Sequence, residues 1–328
     1  MKRISRRDLL KIAGLGAGGV LLQQVLAACG IKPTLEAVAP SASATTPTMV
    51  QATATPYNGP DLVVVRGGEP EPLVRKALEA LGGMGRFVPA GAKVVVKPNI
   101  CISYNSYEYA STTNPWVVGA LVKLCLEAGA SSVKVLDYPF SGSSESAYKM
   151  SGIQEQVEAA GGQMEVISNL KFVPVDIPGA VMLKNVKAYQ DVLNANVLIN
   201  VPIAKHHSLA RLTLGMKNLM GLVSRREPLH SNLGDGLSDL VTLFKPALTV
   251  VDAVRILTAG GPTGGNLKDV KKLDTIIASP DIVAADSYAT RLFDLTPADI
   301  SYVKTAIERG IGRGDLENLK IGEYSLTA

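Results

Sequence analysis

Charged residues stand where apolar runs end. Val94-Val95-Val96 is followed by Lys97-Pro98-Asn99, and Val133-Lys134-Val135-Leu136 by Asp137. Val197-Leu198-Ile199 leads to Asn200-Val201-Pro202 and then Lys205-His206-His207. Leu248-Thr249-Val250-Val251 is followed by Asp252, and Ile276-Ile277-Ala278 by Ser279-Pro280-Asp281. One strand-end charge is usually a helix cap or a solvated loop residue. Several at equivalent positions mean more, because an open α/β sheet gathers the carboxyl ends of its strands at one rim, where ligands bind. The segment Leu214-Gly215-Met216-Lys217-Asn218-Leu219-Met220-Gly221 adds a lysine within apolar surroundings. A buried lysine must meet a carboxylate or an anionic ligand.

These residue types suit the binding and turnover of a small anion. Lys97, Lys217, Asp252 and His207 form the candidate catalytic set, and Asn99, Lys205, Asn218, Gly261 and Gly264 the candidate ligand-binding set. The lysines would balance negative charge. Asp137, Asp252 and Asp286, with His207, are the candidates to hold a divalent metal or to move protons. For Asp286, inside a predicted helix, a lysine partner or a buried helix contact is the competing reading. The chain has 3 His; His206 and His207 are adjacent, so one can face a site while the other is solvated, and His230 is the third. Gly260-Gly261-Pro262-Thr263-Gly264-Gly265 offers backbone amides to an anion, against the plainer reading of a surface turn. It lacks the Lys-Ser/Thr ending of a P-loop. The expectation is that Lys97, Asp137, Lys205, His207, Lys217 and Asp252 converge on one cleft.

The elements that must position these residues are legible as alternating patterns. Short β-branched runs at 62–65, 93–96, 132–136, 163–167, 196–201, 247–251 and 275–278 read as strands. Helices are expected near 71–82, 115–128, within 144–160, and near 209–220, 235–244, 281–293 and 298–309. Fully apolar runs such as Val197-Leu198-Ile199 are those of strands buried on both faces. The alternation predicts an α/β fold: one main domain with a mostly parallel sheet, helices on both faces, and a small irregular or antiparallel excursion near 168–190.

Residues 1–28 read differently. Ser5-Arg6-Arg7-Asp8-Leu9-Leu10-Lys11 resembles a twin-arginine export signal, with Leu9 where phenylalanine is commoner. An apolar, Gly-rich stretch from Ile12 ends at Leu26-Ala27-Ala28-Cys29, which resembles a lipobox. The stretch is too short and glycine-rich for a spanning helix. The expectation is export by the twin-arginine translocase, cleavage before Cys29 by the lipoprotein-processing machinery, and lipidation of Cys29. That places the protein on the extracytoplasmic face of the bacterial cell membrane, held by a lipid anchor. Residues 29–60, mostly Ala, Thr, Ser and Pro, read as a disordered linker with a reach of roughly 30 Å, and 61–328 as the α/β domain.

Charge follows the same division. The chain's +4 resides in the first 28 residues, which hold five Lys/Arg and one Asp; the remainder, 28 basic against 28 acidic, is neutral. Nothing in it forms the basic stripe that a nucleic-acid partner requires. Apart from Cys29 there are two cysteines, Cys101 and Cys125, too few for a four-thiolate cluster. Cys125 reads as a buried apolar residue.

The order and spacing of Val96-Lys97-Pro98-Asn99, Thr113-Asn114-Pro115, Asn200-Val201-Pro202, Lys205-His206-His207, Gly215 to Gly221, Val251-Asp252-Ala253, Gly261-Pro262-Thr263-Gly264 and Ser279 to Asp286 resemble the bacterial and archaeal family called domain of unknown function 362. The resemblance runs from about Asp61 to Gly314. It implies a fold neighbourhood and no defined activity. Some members carry a ferredoxin-like segment with cysteine clusters; this chain has none, so no iron–sulfur cluster is expected.

Three functions are weighed. The first is an enzyme acting on a small anionic substrate, with a divalent metal as a candidate cofactor. The second is a non-catalytic receptor lipoprotein for an anionic solute, although such receptors usually have two lobes and a hinge. The third is a redox or cofactor-carrying protein, for which the chain lacks both a cysteine cluster and a GxGxxG fingerprint. Within the enzyme class, a fold like that of the nickel-pincer lactate racemases, with their lysine-attached cofactor, is the remoter reading, since their histidine motifs find no match here.

Overall fold

The β-branched runs form strands and the amphipathic segments between them form helices. In the computed structural model, which describes residues 57–326, the elements run β1 (Leu62–Arg66), α1 (Pro70–Ala80), β2 (Lys93–Pro98), α2 (Pro115–Glu127), β3 (Ser132–Val135), α3 (Ser144–Met150), α4 (Ile153–Ala159), β4 (Gln163–Met164), β5 (Phe172–Asp176), β6 (Asn185–Tyr189), α5 (Gln190–Leu193), β7 (Val197–Val201), β8 (Ile203–His207), β9 (Arg211–Thr213), α6 (Gly215–Asn218), α7 (Leu233–Phe244), β10 (Leu248–Leu257), β11 (Val270–Ser279), α8 (Ile282–Ala289), α9 (Ser301–Glu308) and β12 (Ile321–Ser325). The export motif with Arg6 and Arg7, the lipobox Cys29 and the linker as far as residue 56 lie outside the described residues.

Ten strands form one sheet in the order β12-β1-β11-β10-β7-β2-β3-β4, with β8 continuing beside β10 and β9 paired to β8. Six of its pairings are parallel and three antiparallel, so the sheet is mostly parallel. Both faces are covered. Leu62, Val64, Val95, Leu198, Val251 and Ile277 pack in one core with α7, α8 and α9. Val63, Val65, Val94, Val96, Ile199, Val250 and Ile276 pack in the other with α1 and α2. Successive residues of a strand point to opposite faces, which is why these strands carry few polar residues.

Three details differ from the sequence expectation. The run at 275–278 belongs to β11, which is antiparallel to both β10 and β1. Its end, Ser279, lies opposite Thr249, near the start of β10. The loop after β11 therefore leaves from the opposite edge to the one where β2, β3 and β7 end. The helix expected near 209–220 is instead the hairpin strand β9 followed by the one-turn α6 and a 3₁₀ turn. Lys205, His206 and His207 are on strand β8, not in a loop. The excursion near 168–190 is a separate two-stranded antiparallel sheet of β5 and β6.

Pro202 makes the junction that matters for the site. It has no N–H, so it cannot continue a ladder, and its carbonyl accepts from Asp252 N at 2.8 Å. The chain passes from β7 to β8 at this point, and β10 pairs first with one and then with the other.

Candidate functional site

β2 and β3 are parallel neighbours with Val96 opposite Val135, so Lys97 and Asp137 leave the sheet side by side. Lys97 Nζ lies 2.6 Å from Asp137 Oδ1. It also donates to Pro98 O at 2.8 Å and Asn218 Oδ1 at 2.9 Å, so all three ammonium hydrogens are used. Asp137 is equally committed: Oδ1 also accepts from Tyr138 N and Oδ2 from Ile100 N. Burial pushes the Lys97 amine below its ordinary pKa, and Asp137 opposes that shift. Removing one member of such a buried pair typically costs about 3–5 kcal/mol. Gly221 is required beside it, since a Cβ there would overlap Asp137 Oδ1.

Strand alternation sorts the next three residues. Lys205 and His207, two apart on β8, line the same cavity as Lys97. His206, between them, turns away, and its Nδ1 accepts from Gly261 N at 3.1 Å. Lys205 Nζ donates to Ser111 O at 2.6 Å, Pro262 O at 2.9 Å and Asn99 Oδ1 at 3.1 Å. It therefore brings charge without a free hydrogen and without a carboxylate partner. His207 Nδ1 accepts from Leu209 N at 3.1 Å and Ala210 N at 3.3 Å. Nδ1 is thus unprotonated, and the neutral ring carries its hydrogen on Nε2. Burial, then Lys217 and Lys205, push the ring down to about 3, so it stays neutral. His207 is a fixed hydrogen-bond donor. This corrects its assignment as a proton acceptor or metal ligand, since either role for Nε2 needs the proton on Nδ1.

Lys217 is the exception among these cations. It is 9% exposed, lines the cavity, and its Nζ has only the Met220 sulfur, 3.6 Å away, as a partner among the described residues. Burial, then Lys205, push its amine down to about 8. Its carrier α6 is held from both ends. Asp286 accepts from Gly215 N at 2.6 Å and Met216 N at 2.8 Å. Asn218 at the other end accepts from Lys97 and from Asn99 Nδ2, and donates to Lys97 O and Asn200 Oδ1.

The cavity measures about 310 Å³, within the lower range of small-molecule sites. It brings together Lys97, Asn99, Asp137, Lys205, His207, Lys217 and Asn218. Asn99 and Asn218 shape it by tying lysines together. Arg226, His230, Thr213, Cys101 and Tyr138 also line it. Of these, His230 and Cys101 stand out in the sequence, but not as members of the cleft. Arg226 and Thr213 carry no local signal, for they reach the cavity through a loop and a three-residue strand that follow no apolar run of their own.

Other expected residues lie elsewhere. Asp252 is fully buried and accepts from Asn114 N at 2.7 Å and Val254 N at 2.9 Å, so it ties α2 to the sheet and does not reach the cavity. Asp286 is the tether of α6 just described. With Asp137 paired to Lys97, the three carboxylates proposed for a metal occupy three separate places. Among the described residues no group of three or more His, Cys, Asp or Glu is arranged to hold a metal ion. The residues do not fit a divalent cation, because the three candidate carboxylates lie apart and each already accepts from N–H donors of its own surroundings. The glycine loop is corrected too. Gly261 N and Gly264 N are spent on His206 and Gly260 O. A Cβ at Gly261 would overlap the His206 carbonyl. The loop gives the site a carbonyl, that of Pro262, while the amides of Gly261 and Gly264 are engaged within the protein. Cys101 and Cys125 are both free thiols, and burial pushes Cys125 up to about 12.

Comparison with known proteins places this geometry in a family. The thylakoid-associated protein sll1697 of Synechocystis sp. is 28% identical over 242 residues, 69% of this chain and 71% of the relative. Among solved structures, the lactate racemase apoprotein of Thermoanaerobacterium thermosaccharolyticum aligns with 14% identity and a TM-score of 0.41, over 65% of this chain and 53% of that one. A protein from Thermotoga maritima aligns with 12% identity and a TM-score of 0.40, over 69% of this chain and 60% of that one. This chain thus spans about half the length of the racemase. The family described as "Domain of unknown function (DUF362)" matches residues 94–291, a span that holds β2 through α8 and every cavity residue named above, and the chain belongs to that family.

Proposed function

We propose that this protein is an enzyme that binds a small anionic substrate in the Lys217 cavity and acts on it through the Lys217 amine. The observation that carries the reading is the state of Lys217, a buried ammonium with no oxygen acceptor among the described residues while its neighbours Lys97 and Lys205 each use three hydrogens. A buried cation without a partner is costly unless an anion completes it. Its lowered pKa supports a second role, since the unprotonated amine is a base and a nucleophile near neutral pH. His207 Nε2–H would orient the anion, and Lys205 would add charge behind it. A receptor for an anionic solute needs only the first of these properties. The sequence before the domain supports attachment by a lipid on Cys29 at the extracytoplasmic face, after passage through the twin-arginine translocase. A relative named for its association with thylakoids is in keeping with a life at a membrane.

Labelling by trinitrobenzenesulfonate, which modifies only unprotonated amines, tests the chemistry. Peptide mapping should give Lys217 a labelling midpoint near pH 8, with protection by sulfate. A midpoint at the value of an ordinary exposed lysine would leave only the receptor reading.

A further inference from the structure

The cavity is strongly unbalanced in charge. Lys97, Lys205, Lys217 and Arg226 line it against one carboxylate, Asp137. The Lys97–Asp137 contact cancels one cation. Lys205, Lys217 and Arg226 form no ion pair with a carboxylate among the described residues. A singly charged ligand would compensate one of these three cations and leave two without a counter-charge, at least one of them the buried Lys205 or Lys217.

The open donors stand on different walls. Lys217 Nζ, on α6, has no oxygen partner among the described residues. On the wall built by β9, Thr213 Oγ1 is buried without a hydrogen-bond partner among the described residues, and buried hydroxyls are seldom left so. Arg226 belongs to the wall that follows β3. Its guanidinium lies 4.4 Å from the centre of the Tyr138 ring. Its Nη2 donates to Tyr138 O at 2.6 Å and Pro139 O at 3.4 Å. Nη1 and Nε have no partner among the described residues. Arg226 is thus a held fork with donors to spare, the geometry suited to a carboxylate or phosphate.

We propose that the ligand carries two separated anionic groups, one held by Lys217 with Thr213 and the other by Arg226. A dicarboxylate or a phosphorylated carboxylic acid has this form. The proposal rests on the anion-binding reading of the same cavity and adds to it a charge count and a second recognition point, with Arg226 as a specificity-determining residue.

Calorimetric titration at pH 7.5 and constant ionic strength tests it on the full-length protein. Malonate, succinate and glutarate are compared with propionate, butyrate and pentanoate, which have the same chain lengths and one charge fewer. The best dicarboxylate is expected to bind at least tenfold more tightly than its monocarboxylate partner. Arg226→Gln should bring that ratio towards one, while Arg226→Lys keeps part of it. Equal affinities within each pair would overturn the two-group proposal and leave the anion cavity standing. Binding by none of the six would overturn the anion reading and this proposal with it. A preference for dicarboxylates that Arg226→Gln leaves intact would remove Arg226 as the second point of recognition and overturn the proposal as stated.

Discussion

The lysines of the cavity differ by partners, not by residue type. Lys97 and Lys205 each spend three hydrogens on protein oxygens, so their positions are set before any ligand arrives. Lys217 Nζ meets only the Met220 sulfur among the described residues, and burial pushes its amine down to about 8. The protonated amine holds an anion, so affinity should be full below about pH 8 and decline as pH rises through that value. Sulfate is the suitable probe because its own charge is constant across this range. Titrations from pH 6.5 to 9.5 should show the decline, approaching tenfold per pH unit above 8. Lys217→Arg, with a guanidinium that stays charged, should flatten it. A pH-independent sulfate affinity in the parent protein would remove Lys217 from the binding site.

At the scale of elements, α6 is a single turn and cannot hold its own shape. Asp286 on α8 holds it by accepting two of its N–H groups, and Asn218 anchors its far end. Asp286 is therefore a positioning residue for Lys217. Burial pushes its carboxyl up to about 7, partly opposed by the two N–H donors. A carboxyl whose folded pKa is raised contributes stability at low pH that is lost as pH rises from its ordinary value of 3.8 through about 7. Asp252, pushed up to about 6, adds to the same slope. Urea unfolding at pH 5 and pH 7.5 should show the parent less stable at the higher pH. Asp286→Asn should reduce that difference, destabilise the protein at pH 5 by about 1–3 kcal/mol through an unsatisfied N–H, and weaken sulfate binding. An unchanged slope with unchanged sulfate affinity would mean that Asp286 neither titrates nor positions α6.

At the scale of the whole molecule, the excess of basic residues sits in the first 28 residues and the remainder is neutral. The charge of those first 28 residues says nothing about the cavity, where the excess of cations arises from three-dimensional gathering. Attachment is predicted to depend on Cys29, where the sequence resembles a lipobox. Cys29→Ser should shift the protein from the membrane fraction to the soluble fraction or stop its maturation, because acylation supplies the buried CH₂ groups. Arg6→Lys with Arg7→Lys should leave precursor inside the cell. Fractionation of both variants with the parent would refute the lipid-anchor reading.

Periodicity and strand-end chemistry are local properties, and so the sequence by itself determined most elements, the two-faced sheet, and the gathering of Lys97, Asp137, Lys205 and His207 after parallel strands. It also marked Lys217 as a lysine in apolar surroundings. Only tertiary structure decided which charge is spent and which is free. Lys97 meets an asparagine 121 residues away, and Asp286 meets an amide 71 residues away; no local pattern encodes such pairings. The direction of β11 was hidden for a related reason. A strand buried on both faces reads the same in either sense, and its antiparallel course sends Asp286 to tether α6 instead of to the rim. Arg226 and Thr213 enter the cavity through packing of segments that have no periodicity, so their part in it became visible only when the chain was folded.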